Sequence, residues 1–310
     1  MEVRRYGPPL REAWDALNRR AVNGHFLFDR GFMDYHADRF TDASLVVLDE
    51  GEPVALLPAN MVGEEAWSHQ GLTFGGLVHE GLGTARAMAA LDACAAALAG
   101  AGAKALTYKA LPWIYPAQPA QEDLYWLFRR DAPLVRRDVT AAIDYRARGR
   151  VSSRRSRGAR KAEKAGIVFA RSQDWPGFWR LLEAVLAERH GAAPVHSLAE
   201  IELLAGRFPD EIALHAATQD GVLLAGVVMF ASAHVAHAQY IAVGEAGREA
   251  GALDGLFEHL IQAHAASHRW FDFGISNTDG GRGLNEGLIR QKEEFGASAV
   301  VHDVYRVALG

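Results

Sequence analysis

Val222-Leu223-Leu224-Ala225-Gly226-Val227, entered through Thr218-Gln219-Asp220-Gly221, decides the fold, because an earlier stretch reads the same way: Leu48-Asp49-Glu50-Gly51-Glu52-Pro53 leads into Val54-Ala55-Leu56-Leu57-Pro58. An acidic residue followed by glycine between two apolar runs marks a tight hairpin. The agreement continues outward. Behind the first hairpin come an apolar run over 66–77, an Ala-rich helical stretch over 83–98 and Ala105-Leu106-Thr107-Tyr108-Lys109. Behind the second come a run over 235–243, a helical stretch over 249–266 and Trp270-Phe271-Asp272-Phe273-Gly274. Residues 43–114 and 211–274 thus share one order: strand, hairpin, strand, strand, helix, strand. Self-similarity at so long a period predicts duplicated domains, not a solenoid. The fold class that follows is α/β with mixed (α+β) sheets in two domains.

Composition agrees with that division. At 310 residues the chain exceeds the size at which one core stops growing, and 49% hydrophobic residues supply two. The lone cysteine, Cys94, excludes a disulfide framework and a thiolate metal site. Met1-Glu2-Val3-Arg4-Arg5-Tyr6 has no apolar signal core, and no apolar run approaches the ~20 residues of a membrane span. A cytoplasmic protein without a membrane span is expected, and its oligomeric state is not readable from the sequence.

The net charge of −5 hides a local excess of cations. Nine basic residues against one acid lie between Arg146 and Lys164, on a body that is otherwise acidic. Ser152 and Ser153 are N-cap residues and Gly166 is a stop, so 153–165 reads as a helix. Arg154, Arg157, Arg160, Lys161 and Lys164 then run along one side of it. Such a stripe suits a diphosphate or a nucleic-acid backbone, although a solvated linker helix has the same composition.

Other elements are legible too. Helices are expected over 10–21, 29–40, 121–128, 175–189 and 284–294, with strands over 134–145, 167–169 and 299–307. Ser197-Leu198-Ala199-Glu200 has the form of a capping box. The boundaries are 1–150 for the first domain, 151–166 for the basic linker helix and 167–310 for the second domain.

The duplicated unit, the linker Arg154-Arg155-Ser156-Arg157-Gly158-Ala159-Arg160-Lys161-Ala162-Glu163-Lys164-Ala165-Gly166 and the ending Gly287-Leu288-Ile289-Arg290-Gln291-Lys292-Glu293-Glu294-Phe295-Gly296 resemble the Fem-type (FemAB-like) branch of the GCN5-related N-acyltransferases, the GNAT superfamily. The resemblance covers nearly the whole chain, most sharply 134–310. It implies two tandem N-acyltransferase (GNAT-like) folds, the first on the acceptor side and the second on the donor side. Characterised members move an amino acid from aminoacyl-tRNA to an amine of a peptidoglycan precursor, and others resemble acyltransferases of saccharides or small metabolites. The resemblance also places Lys292 near the acyl donor. The matching acetyl-CoA turn is Gly247-Arg248-Glu249-Ala250-Gly251-Ala252-Leu253, which has Arg248 and Gly251 in position and Leu253 where a small residue belongs. The long helical arm of the characterised members is missing from 169–214.

Amide formation from an ester or thioester needs a proton acceptor, donors for an oxyanion and alignment. Asp272, Tyr240, His196 and Lys292 are the catalytic candidates. Asp272, between two phenylalanines on a strand, points away from both rings, toward a cleft or a cation. Gln239, Ser276, Asn285 and His190 are polar candidates around them, and Arg154, Arg157, Arg160 and Lys161 would hold phosphates. In the first domain His69, Tyr108, Trp113 and Tyr115 are aromatic and polar groups fit for a saccharide or peptide acceptor. Thirteen histidines form no helical pair around a glutamate, so no metal is expected. The expected activity is N-acyl or aminoacyl transfer to an amine of a cell-envelope precursor or small metabolite, with acyl-CoA or aminoacyl-tRNA as co-substrate. A coenzyme A-dependent acyltransferase of an amino sugar or natural product is one alternative; a non-catalytic module for a nucleotide-linked ligand is the other.

Overall fold

The two hairpins turn alike. Glu50 and Gly51 have φ of 52° and 90°, and Asp220 and Gly221 have φ of 51° and 79°. Consecutive positive φ values make the tight turn whose twist matches that of the flanking strands. In the computed structural model, which describes residues 1–190 and 192–310, the chain divides into two units. One comprises Met1–Val139, Asn277–Gly283 and Val301–Gly310; the other comprises Thr140–Ser276 and Leu284–Val300. The division falls inside a strand, and the last residues belong to the first unit.

Along the first unit run β1 (Glu2–Arg5), α1 (Arg11–Arg20), α2 (Arg30–Met33), β2 (Thr41–Asp42), β3 (Leu45–Asp49), β4 (Glu52–Leu57), β5 (Asn60–Val62), β6 (Glu65–Trp67), β7 (Val78–His79), α3 (Thr84–Gly100), β8 (Ala105–Lys109), α4 (Glu122–Arg129) and the start of β9 (Leu134–Asp144). β1, β3, β4 and β7 form one sheet in that order, and β8, β6, β5 and β2 are neighbours in another. β6 and β8 are parallel through Glu65↔Ala105, Ala66↔Leu106 and Trp67↔Thr107. The core joins the alanine face of α3 to Leu45, Val47, Leu57, Leu106 and Tyr108.

Two expectations change here. The helix over 29–40 is a single turn, Arg30–Met33, followed by a 3-10 turn, Asp34–His36. Arg30 turns inward onto Asp34 and Asp42, both at 2.5 Å, and its burial overrides the helical pattern. The strand over 66–77 pairs only as far as Trp67, and the chain rejoins a sheet at Val78.

The second unit carries the rest of β9, then α5 (Ser153–Lys164), β10 (Val168–Ser172), α6 (Trp175–His190), α7 (Leu198–Arg207), β11 (Ile212–Gln219), β12 (Val222–Ala231), β13 (Val235–Val243), α8 (Glu245–Ala250), α9 (Ala252–His264) and β14 (Trp270–Ile275). Beyond the short strands β15 (Asn277–Thr278) and β16 (Gly283–Leu284) come α10 (Glu286–Glu293) and β17 (Ser298–Ala308). Its sheet has the order β10-β11-β12-β13-β14-β9. One face is covered by α9, whose Leu256, Phe257 and Leu260 meet Val227, Met229, Ala238, Phe271 and Phe273 in the core. α6 packs on β12 and β13.

The stretch 249–266 is not one helix. It breaks at Gly251, which has φ 76° and ends α8. A Cβ there would lie 2.5 Å from the Gly158 carbonyl oxygen of α5, so glycine lets the helices touch. The basic helix is accordingly a packed element of the second unit: Ala159 and Ala162 are buried, and Arg155 bonds Asp254 at 2.5 Å and Glu294 at 2.7 Å. Ser152 caps it through the Arg155 N–H.

Candidate active site

β13 and β14 are parallel through Val235↔Trp270, Ala236↔Phe271 and His237↔Asp272, where their ladder ends. Beyond that point the two strands fork. The crevice beyond the carboxyl ends of parallel strands is where such sheets bind ligands. The β12–β13 register slips at the same place: Met229 pairs with Ala238 and Val228 with Tyr240, leaving Gln239 as the extra residue of a bulge. The bulge changes which side chains share a face. Ala236 and Ala238 lie in the core before it, and Ile241 and Val243 pack on the core after it. His237 and Tyr240, three residues apart, are thereby both off the core face. Tyr240 meets Trp179 of α6 edge-to-face at 5.3 Å.

Phe271 and Phe273 are core residues, so strand alternation turns Asp272 onto the face of His237. Asp272 is fully buried. Its Oδ2 lies 2.7 Å from His237 Nδ1; its Oδ1 accepts from the Gly274 N–H at 3.1 Å and from the Thr140 hydroxyl of β9. The other ring nitrogen, His237 Nε2, is 3.2 Å from the Gln239 Oε1 position. The carboxylate thus orients an imidazole whose side chain is 13% exposed.

Lys292 closes the end of β14. Only 5% of it is exposed, and its ammonium donates to the carbonyls of Gly274 (2.7 Å) and Ile275 (2.8 Å) and to Ser276 Oγ (2.9 Å). Burial pulls its pKa down to about 8, against the opposing charge of Asp272. Lys292 and Ser276 thus build the wall of the fork from which Asp272 projects.

Tyr240 and His196 also meet, with the Tyr240 hydroxyl 2.5 Å from His196 Nδ1. The His190 side chain lies outside the described residues. Asn285 caps α10 through the Leu288 N–H at 3.0 Å. Arg154, Arg157, Arg160 and Lys161 are exposed on α5, with Lys161 Nζ on the Glu249 carbonyl at 2.5 Å. Arg248 bonds the Val243 carbonyl at 2.9 Å, and Gly251 serves helix packing as described, so the turn 247–253 is held by its own contacts. No group of three or more metal-ligating side chains occurs among the described residues, nor any helix long and apolar enough to cross a membrane.

In the first unit the candidates separate. His69 is buried and stacked on His36 at 5.3 Å, and burial above all pushes its pKa down to about 3. Tyr108 is buried, accepting from the Leu77 N–H and bonding Asp123, each at 2.9 Å. Tyr115 is buried against Phe74 at 4.6 Å, whereas Trp113 is 49% exposed. Of these four candidates, Trp113 is the one exposed to solvent.

From the sequence alone, His237 and Thr140 receive no catalytic part and Arg155 no packing part. Period-two alternation around Ala236 and Ala238, matched with that around Phe271 and Phe273, would have put His237 and Asp272 both off the core face. Arg155 is in phase with Ala159 and Ala162, which marks the inner side of the helix.

A model of the acetyltransferase (GNAT) domain matches residues 149–279, the segment containing the fork and its bulge. No curated protein matches the chain. Among solved structures, FemX superposes with a TM-score of 0.71 at 13% identity, covering 98% of this chain and 97% of that one. The C-terminal domain of a putative lysylphosphatidylglycerol synthetase from Agrobacterium fabrum gives 0.61 at 15% identity, covering 97% and 91%. A tandem GNAT protein from the clavulanic acid biosynthesis pathway gives 0.52 at 12% identity, covering 100% and 98%. Residues 149–279 thus match the acetyltransferase (GNAT) domain, in a chain whose fold is similar to that of FemX and of the tandem GNAT protein.

Proposed function

We propose that the chain transfers an acyl or aminoacyl group from an activated ester or thioester to a primary amine, and that the reaction occurs at the fork of β13 and β14. The observation that carries this reading is the parting of two parallel strands at His237 and Asp272, with a bulge at Gln239 on one and the Lys292-bound carbonyls of Gly274 and Ile275 on the other. Beyond the bulge, β13 has no β14 partner in the ladder, so its backbone N–H groups can align a donor carbonyl and stabilise the oxyanion. Lys292 fixes the facing wall. The exposed cations of α5 suit the phosphates of the donor, aminoacyl-tRNA or acyl-CoA.

The acceptor is an amine of a cell-envelope precursor or of a small metabolite. FemX and the lysylphosphatidylglycerol synthetase domain, whose folds this chain shares, support the aminoacyl form of the reading. Incubation with charged tRNA and, separately, with a panel of acyl-CoA thioesters, each with and without an amine panel, tests it by mass spectrometry. Amine-dependent loss of one donor is expected. Binding of a donor with no consumption under any amine would make the chain a ligand-binding module instead.

A further inference from the structure

We infer that His237 takes the proton from the attacking amine, with Asp272 as the residue that positions its ring; this role rests on the transferase reading above. The other candidates at the fork are committed elsewhere. Asp272 is fully buried, and its oxygens are held by His237, Gly274 and Thr140. The Lys292 ammonium has three acceptors, and the Tyr240 hydroxyl is bound to His196. His237 is different: one nitrogen is fixed by the carboxylate, and the other meets only a rotatable side-chain amide.

That amide suits a group that changes protonation state. With Nδ1–H donated to Asp272, the neutral ring presents a lone pair at Nε2, which the Gln239 amide can meet with its NH2 group. Once Nε2 is protonated, the same amide turned over offers its oxygen, so neither state leaves a ring nitrogen unmatched. Gly274, with φ 77°, takes the left-handed turn that lets its N–H reach back to Asp272 Oδ1. The ring also stands at the last paired position before the strands part. The groups around it are Asp272 on β14, Thr140 on β9, Gln239 on its own strand and Lys292 on α10, whose charge interacts with that of Asp272.

The proton balance is simple. The substrate ammonium gives one proton to Nε2, and the freed nitrogen lone pair forms the C–N bond at the donor carbonyl. As the C–O or C–S bond breaks, the second proton passes from nitrogen to the leaving oxygen or sulfur. Nε2 then returns its proton to water, and one proton is released per amide formed.

The test measures amine-dependent consumption of charged tRNA and of acetyl-CoA by the whole chain and by His237→Ala and Asp272→Asn. Substitution of His237 by Ala should lower kcat/KM about 10²–10⁴-fold, with the donor KM changed less than about threefold, and added imidazole should restore about tenfold or more. Asp272→Asn removes the acceptor that holds the ring, so kcat should fall about 10²-fold or more with the donor KM changed less than about threefold; Asp272→Glu should recover part of the loss. Wild-type rates in the His237 variant, or a loss that imidazole cannot restore together with a wild-type kcat in Asp272→Asn, would overturn the role alone. If the alanine variant does not fold, the split between kcat and KM in Asp272→Asn, and its recovery in Asp272→Glu, decide. A wild-type chain that consumes neither donor overturns the transferase reading and this role with it.

Discussion

Each unit brings two parallel strands together through three register positions and then lets them part, and the two gaps are filled differently. Trp67 and Thr107 close the ladder in the first unit, His237 and Asp272 in the second. The neighbouring strands fix the correspondence: Trp67 pairs with Asn60 and Val78 with Leu56, as His237 pairs with Phe230 and Ala242 with Gly226. Between those marks the second unit has residues 238–241, a strand with one bulge. The first unit has residues 68–77, which leave the sheet.

That longer segment folds back onto β8. Ser68 N–H donates to the Thr107 carbonyl at 2.9 Å, Lys109 N–H to Ser68 Oγ at 2.8 Å, and Gly75 N–H to the Lys109 carbonyl at 2.8 Å. The Lys109 ammonium gathers the carbonyls of His69, Gln70 and Leu72. The edge that the proposed function gives to a ligand in the second unit is satisfied in the first by the protein's own backbone. One fold, used twice, yields one gap filled by a ten-residue excursion of the chain and one spanned by a strand with a single bulge. A donor should accordingly bind one per chain, and isothermal titration giving two equivalent donor sites would break the comparison.

The largest effect separates the two ladder ends. Asp272→Asn should cut the acylation rate by about 10²-fold or more. Thr107→Val, at the matching position, should leave the rate within about twofold, because Thr107 Oγ1 is bonded to Glu65 and faces no open fork. Comparable losses at both positions would mean that both forks serve the reaction.

A stability contrast comes next, within α5. Arg155 is the buried partner of Asp254 and Glu294, so Arg155→Ala leaves two carboxylates without their cation and should cost about 3–5 kcal/mol in denaturant unfolding. A loss under about 1 kcal/mol would show that water replaces the guanidinium freely.

The sequence made the duplication legible because its signals are local. Asp-Gly and Glu-Gly turns, the alanine face of α3, the Ser197–Glu200 capping box and the alternation of β13 and β14 are each settled within a few residues. The same holds for Asp272, which the flanking phenylalanines turn away from the core. What was not legible depends on pairing across long separations. The dyad joins residues 35 positions apart, and the Gln239 bulge exists only relative to β12. The exit at 68–77 rests on a lysine forty residues away, with Gly71, Gly75 and Gly76 as its one local sign. The helix over 249–266 carries Gly251 in its sequence, but the reason for the break is the close approach of Gly158.

The two buried lysines sharpen the comparison through pH. Burial pulls Lys109 and Lys292 each down to about 8 from 10.5. Between those values the unfolded chain keeps a proton that the folded chain has released, so raising the pH favours the folded form. The penalty of burying each charge is complete below pH 8 and fades toward pH 10.5. Relative to Lys292→Met, the wild type should gain about 2 kcal/mol between pH 7.5 and 9.5. Lys109→Met should remove a similar gain from the first unit. A flat difference for either would show that its ammonium is better solvated than its burial implies.

The smallest change in stability should come from the outer face of α5. Arg157 and Arg160 are exposed, and Arg157 reaches only Ser153 Oγ, on its own helix, at 3.3 Å. Surface charges of this kind contribute little to folding, so Arg157→Glu with Arg160→Glu should move the melting temperature by no more than about 2 °C. Binding is another matter. Two cations become two anions on a stripe that also carries Arg154, Lys161 and Lys164, which should weaken a phosphate-bearing donor and flatten the salt dependence of its binding. Titration of the donor at two salt concentrations separates the outcomes. An unchanged affinity and salt slope would remove α5 from the donor site, while a large fall in melting temperature would assign the outer stripe, like Arg155, to the packing of the second unit.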